Sequence, residues 1–156
     1  SSGFNVRMTE MQGAVGIAQL KKLNYIVKNQ RKIYDYIWSK IKYLPQIQKR
    51  SYPKNSYISA DALIFLVNNN HRAKRCREEL IKNKMSTKIL PEAFTWHFAG
   101  EWDHIKQLKI KHRNLRTAFP KSRKIIKRAV SIPINLKTSI LKLNTISKSI
   151  IEALKI

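Results

Sequence analysis

Acidic side chains, glycine and cysteine are all scarce in this chain, and each shortage excludes something. Cys76 is the single cysteine, so no disulfide can close within the chain and no cysteine zinc cluster can form. Only four glycines occur, Gly3, Gly13, Gly16 and Gly100, no two of them adjacent, which excludes any segment built on a Gly-Gly pair. No apolar run approaches the roughly 20 residues that a membrane-spanning helix needs, so no membrane partner is expected. A cytoplasmic setting is the expectation that goes with one cysteine and no leader-like start. His97 and His104 lie seven apart with Asp103 between them, but no further ligand stands at a fitting spacing, and no metal is expected.

Acids number 9 against 32 Lys and Arg in 156 residues, a formal net charge of +23. Such a balance raises nucleic acid or an anionic surface as a partner. The lysines, however, are spread through amphipathic segments, and the chain is rich in Ile and Asn as well as Lys. Compositional bias therefore explains the charge better than a dedicated site, and no specific nucleic-acid partner is expected. A basic binding module for nucleic acid or an anionic surface, with the aromatic segment 94–102 stacking bases, stands as the alternative reading.

The most patterned stretch runs from Gly3 to Leu20. Thr9 followed three residues later by Gln12 reads as a capping box, which starts a helix at Thr9. Met11, Ala14, Val15 and Ala18 then share one apolar face, and Gly13, Ala14, Gly16 and Ala18 keep it low enough for close approach. This helix has the form of one that packs against another element. The fixed residues Gly3, Asn5, Arg7, Met8, Glu10, Gln12, Ala14, Gly16, Gln19 and Leu20 resemble the start of the C-terminal part of the DegT/DnrJ/StrS sugar aminotransferases, with Gly13 as the departure. A capped helix in an unrelated fold would account for Thr9 and Gln12 but not for Asn5, Arg7 and Gln19.

Further along, a helix is expected over 24–43, with Ile26, Ile33, Ile37, Ile41 and Leu44 on one stripe, Tyr34 and Trp38 beside it, and Pro45 ending it. Residues 45–56 read as a connecting loop. Ala60 to Val67 is a short continuous apolar run that fits a strand at the centre of a sheet. Asn70 would cap a helix over 71–83 whose buried side holds Ala73, Cys76 and Leu80 and extends to Ile81, making Cys76 a core thiol. Ser86 to Leu90 reads as a second strand. Residues 91–103 are irregular and aromatic, and 105–117 are basic with His112 and Arg113 exposed. A helix over 119–128, with Ser122 to Lys127 polar apart from Ile125 and Ile126, leads to a strand at 129–134. A closing helix over 136–156 turns Leu143, Ile146, Ile150, Ile151 and Leu154 inward. The fold class is α+β: a long helical lead-in and a sheet of about three strands packed by helices. Residues 1–44 are expected to form the lead-in with a dimer and active-site loop, and 57–156 a small α+β domain.

The resemblance covers nearly the whole chain, and 129–134 is similar to the family's Leu-x-Leu-Pro strand. It implies the C-terminal small domain of a fold-type-I transferase that uses pyridoxal 5'-phosphate (PLP). Amino transfer would run from an amino-acid donor, with glutamate expected, to a keto-sugar or nucleotide sugar for surface polysaccharide. The resemblance also implies a homodimer with a site shared between subunits. Asn5 would then donate to the cofactor phosphate of the neighbouring subunit. Arg7 would hold either a nucleotide-sugar phosphate or a carboxylate that fixes the loop. Met85-Ser86-Thr87 resembles the lead-in to the family's histidine loop, but the usual His-Tyr-Pro is absent. His97 therefore either faces substrate or lies in a loop whose aromatics pack on their own domain. The family's Schiff-base lysine, its ring acid and its Gly-Glu-Gly-Gly segment have no counterpart here. With the match starting mid-family and Ser1 in place of a methionine, the expectation is a fragment without the large PLP-binding domain and inactive alone.

Overall fold

The computed structural model describes residues 7–85 and 98–155. In chain order the elements are α1 (Glu10–Leu20), α2 (Leu23–Ile41), β1 (Ile47–Lys49), β2 (Ala62–Val67), α3 (Asn70–Lys82), a 3-10 turn (Ala99–Glu101), α4 (Lys106–Lys111), α5 (Pro120–Ile126), β3 (Ala129–Pro133) and α6 (Ile140–Leu154). The strands form one antiparallel sheet in the order β1-β2-β3. Ile47 pairs with Val67 on one side of β2, and Leu66 pairs with Ala129 on the other. This is the α+β class that the sequence predicts.

Alternation along β2 decides the packing, because successive side chains of a strand point to opposite faces. Leu63, Phe65 and Val67 are at most 1% exposed, whereas Ala62, Ile64 and Leu66 on the other face are half-buried. The fully buried row meets Val130 and Ile132 of β3 and a layer of three helices. From α2 come Tyr34, Ile37 and Ile41, from α3 Ala73, Cys76 and Leu80, and from α6 Leu143, Ile146, Ile150, Ala153 and Leu154. The expected inward faces of these three helices are therefore the real ones, except that Ile81, at the edge of the α3 face, is 50% exposed. β2 is the central strand, but it is fully covered on one face only, not on both as its unbroken apolar run suggests.

Helix boundaries follow from caps. Asn69, one residue before the expected Asn70, caps α3 by accepting from the Arg72 N–H at 2.9 Å. α5 starts at Pro120, where proline's fixed φ suits the first helical position. α6 starts at Ile140, four residues later than expected, because Asn135 accepts from the Lys137 N–H at 2.9 Å in a turn and Ser139 then caps.

Two other expectations are corrected. Residues 45–56 are not wholly a loop, since Ile47–Lys49 pairs as an edge strand; three residues, two of them polar, carry too little pattern to show it. His112 is half-buried against Phe119, with ring centroids 4.8 Å apart, while Arg113 is exposed. The strand expected at Ser86 to Leu90 lies outside the described residues.

Phe65→Ala should cost about 3 to 5 kcal/mol in a denaturant melt, the usual range for a fully buried phenylalanine. Ile110→Ala, at a side chain 86% exposed, should cost less than about 0.5 kcal/mol. Equal costs would mean that β2 does not face the core.

Candidate functional site

The capping box is formed as its spacing predicts. The Gln12 N–H donates to the Thr9 hydroxyl at 3.3 Å, and the Thr9 N–H donates to the Gln12 amide oxygen at 2.9 Å. Two of the first turn's orphan donors are thereby satisfied. α1 buries none of its residues: Met11 is 79%, Val15 56% and Leu20 67% exposed. The apolar face anticipated for packing is thus uncovered by the described residues.

Arg7 stands just before this helix, exposed and without an ion pair among the described residues. A free guanidinium fork beside a helix N-terminus suits a phosphate or carboxylate oxygen, so the donor chemistry present fits a phosphate-bearing group. Asn5 and His97 lie outside the described residues. Among those residues, no cluster of His, Cys, Asp and Glu could hold a metal, and no helix is long and apolar enough to cross a membrane.

Immediately after His97 in sequence the chain is tied down by Phe98, which is 5% exposed. Arg123 of α5 supplies the tie. Its guanidinium donates to the Glu101 carboxylate, to the Gly100 carbonyl at 3.3 Å and to the Leu115 carbonyl at 3.4 Å. It also lies 4.8 Å from the centre of the Phe98 ring, close enough for a cation–π contact. Phe119 completes the knot, edge-on to Phe98 at 6.3 Å and to His112 at 4.8 Å. Its backbone adopts φ 57°, a left-handed conformation costly for an aromatic residue, and the two ring contacts hold it there.

Sequence reasoning read Ser122 to Lys127 as polar apart from Ile125 and Ile126 and did not single out Arg123. With one acid for every three or four bases, an arginine that finds a carboxylate is the exception, and a partner 22 residues away leaves no periodic trace. Among the described residues, Lys74–Glu78 and Lys82–Glu79 form the other ion pairs, both exposed neighbours on α3 and worth little.

Cys76 is fully buried, and that burial pushes its thiol up to about 12. It is a core residue with negligible thiolate at neutral pH, as expected. Tyr34 is also buried, and its phenol is raised by desolvation first and then by the hydroxyl of Tyr52, 3.4 Å away. Neither group is set up as a nucleophile.

A sequence model of the DegT/DnrJ/EryC1/StrS aminotransferase family matches residues 1–151. The chain belongs to this family. Solved structures share its fold at low identity. The Helicobacter pylori aminotransferase PseC, involved in the biosynthesis of pseudoaminic acid, aligns with a TM-score of 0.74 at 16% identity, over 99% of this chain and 40% of its own. The sugar aminotransferase CalS13 from Micromonospora echinospora aligns at 0.70 and 14%, over 95% of this chain and 36% of its own. The E. coli GDP-4-keto-6-deoxy-D-mannose-3-dehydratase, with hydrated PLP bound, aligns at 0.67 and 19%, over 95% of this chain and 36% of its own. The chain thus spans 36 to 40% of the length of these structures.

Gly100 is where the knot is tightest. An added Cβ would collide with the Phe98 ring and come within 2.9 Å of an Arg123 nitrogen. Gly100→Ala should therefore destabilise the chain by about 1 to 3 kcal/mol through overpacking. Gly16→Ala, with nothing within 4 Å, should leave melts unchanged or slightly raised, because alanine favours a helix by about 0.5 to 1 kcal/mol. Equal responses in thermal melts would remove the knot from the account.

Proposed function

We propose that this chain is the C-terminal part of a PLP-dependent enzyme that transfers an amino group from an amino acid, glutamate in the first instance, to a keto-sugar carried as a nucleotide sugar. The observation that carries this reading is the family match over residues 1–151, joined to the Gly3–Leu20 motif and its formed capping box. Surface polysaccharide is the destination proposed for the amino sugar.

When bound, PLP supplies the electron sink that lets a proton leave the carbon bearing the amino group. This chain contributes binding and orientation. Asn5 donates an amide N–H to the cofactor phosphate across a homodimer interface, adding no charge. Arg7, exposed at the start of α1, holds a substrate phosphate or carboxylate through its fork. The Arg123 knot fixes the chain where it emerges after His97, whose proposed place is the substrate side. The covalent lysine belongs to the larger domain proposed to complete the enzyme, so 1–156 alone would be inactive.

A dehydratase stands among the similar structures, so fold by itself does not choose between amino transfer and dehydration. The deciding experiment supplies the full-length enzyme with glutamate and a nucleotide keto-sugar and follows 2-oxoglutarate. We expect release that depends on both reactants, and an Asn5→Ala enzyme that needs about tenfold more PLP for half-maximal rate, the loss of one charge-assisted hydrogen bond. Loss of water from the sugar without 2-oxoglutarate would assign the enzyme to dehydration. An unchanged PLP requirement would make Asn5 a plain loop residue.

A further inference from the structure

The face of the sheet turned away from the three-helix layer is not flat. A groove of about 670 Å³ runs across it, floored by Ile64, Leu66 and Ala129 and walled by Ile125 and Ile126 of α5. Its polar lining is cationic, with Arg50 on the β1 side and Arg128 on the β3 side. Gln48, Leu66 and Ala129 lie in one row across the three strands, with Arg50 just past the end of β1 and Arg128 just before the start of β3.

Arg128 is the anomaly. It is half-buried, its Nε is out of contact with solvent and without a hydrogen-bond partner, and its guanidinium makes no ion pair among the described residues. Its fixed point is the backbone, whose carbonyl accepts from the Val67 N–H at 2.9 Å. An Nε–H drawn out of water without a partner carries a cost, and buried charge is ordinarily paired. Arg123, five residues earlier, is paired with Glu101, whereas the described residues offer Arg128 no such partner. Arg50 faces the Tyr52 ring at 5.5 Å and makes no ion pair among the described residues.

We propose that this groove is a binding site for an organic phosphomonoester, its phosphate on Arg128 with Arg50 opposite and its apolar body over Ile64 and Leu66. Guanidinium forks match phosphate oxygens two at a time, and an apolar floor favours an anion that carries a ring or chain over a bare one. Arg7 is not among the described residues that line the groove, and the proposal stands apart from the amino-transfer reading.

Phenyl phosphate is a suitable probe, titrated calorimetrically into the 156-residue chain at fixed ionic strength beside inorganic phosphate and phenol. We expect one saturable site, with phenyl phosphate bound about tenfold or more tighter than either fragment. Arg128→Ala should weaken it by about tenfold, the loss of a charge-assisted pair, and Arg128→Lys by several-fold, because an ammonium keeps the charge and loses the fork. Arg116→Ala, an equal loss of charge at an exposed site, should leave it unchanged. Thermal melts of each variant separate lost binding from lost folding. The proposal fails if Arg116→Ala weakens binding as much as Arg128→Ala does, if inorganic phosphate binds as tightly as phenyl phosphate, or if no saturable binding is seen.

Discussion

Everything in this fold leans on one buried row, Leu63, Phe65 and Val67 of β2, which is sealed under α2, α3 and α6. Burying such side chains is worth about 1.5 to 3 kcal/mol each, a large share of the margin by which a domain of this size is stable. The row explains why sequence-distant parts come together. The C-terminal helix α6 must return to cover α2 and α3, and β3 must pair with β2 to extend the apolar surface beneath them. What the row does not reach, above all α1, is left outside the core.

That division has functional meaning. The parts of the chain with the strongest motif, Arg7 and the capped helix behind it, are the parts whose side chains this core does not bury. On the proposed function these residues face a cofactor, a substrate or another subunit; free of the demand to fill an interior, they can keep a pattern that packing does not explain. The Arg123 knot is the intermediate case. It holds one irregular segment with a half-buried ion pair and a left-handed Phe119.

Legibility followed the range of the interactions. The capping box, the faces of α2, α3 and α6, the central place of β2 and the inert burial of Cys76 are all set by residues within a turn or by alternation, and each was readable from sequence. β1 was missed because an edge strand of three residues has no period to detect. The open face of β2 was missed because Ile64 and Leu66 are as apolar as the buried row, and only the third dimension shows that α5 covers them in part. Arg123–Glu101 and the unsatisfied Arg128 depend on contacts made after the chain has folded. Asn5, Arg7 and His97 were assigned through a resemblance, since as isolated residues they carry no signal that separates a ligand contact from an ordinary loop polar.

The central claim is that α2, β2, α3, β3 and α6 form a core of their own while α1 stands outside it, and native-state amide hydrogen exchange on the 156-residue chain reads that division directly. Amides of β2 and α6 should exchange only through global unfolding. Those of α1, an 11-residue helix with no buried residue, should exchange far faster, since a helix of that length is marginal in water without tertiary support. Protection in α1 equal to that in β2 would contradict the account, because it would mean that this chain buries the very face left here for another surface.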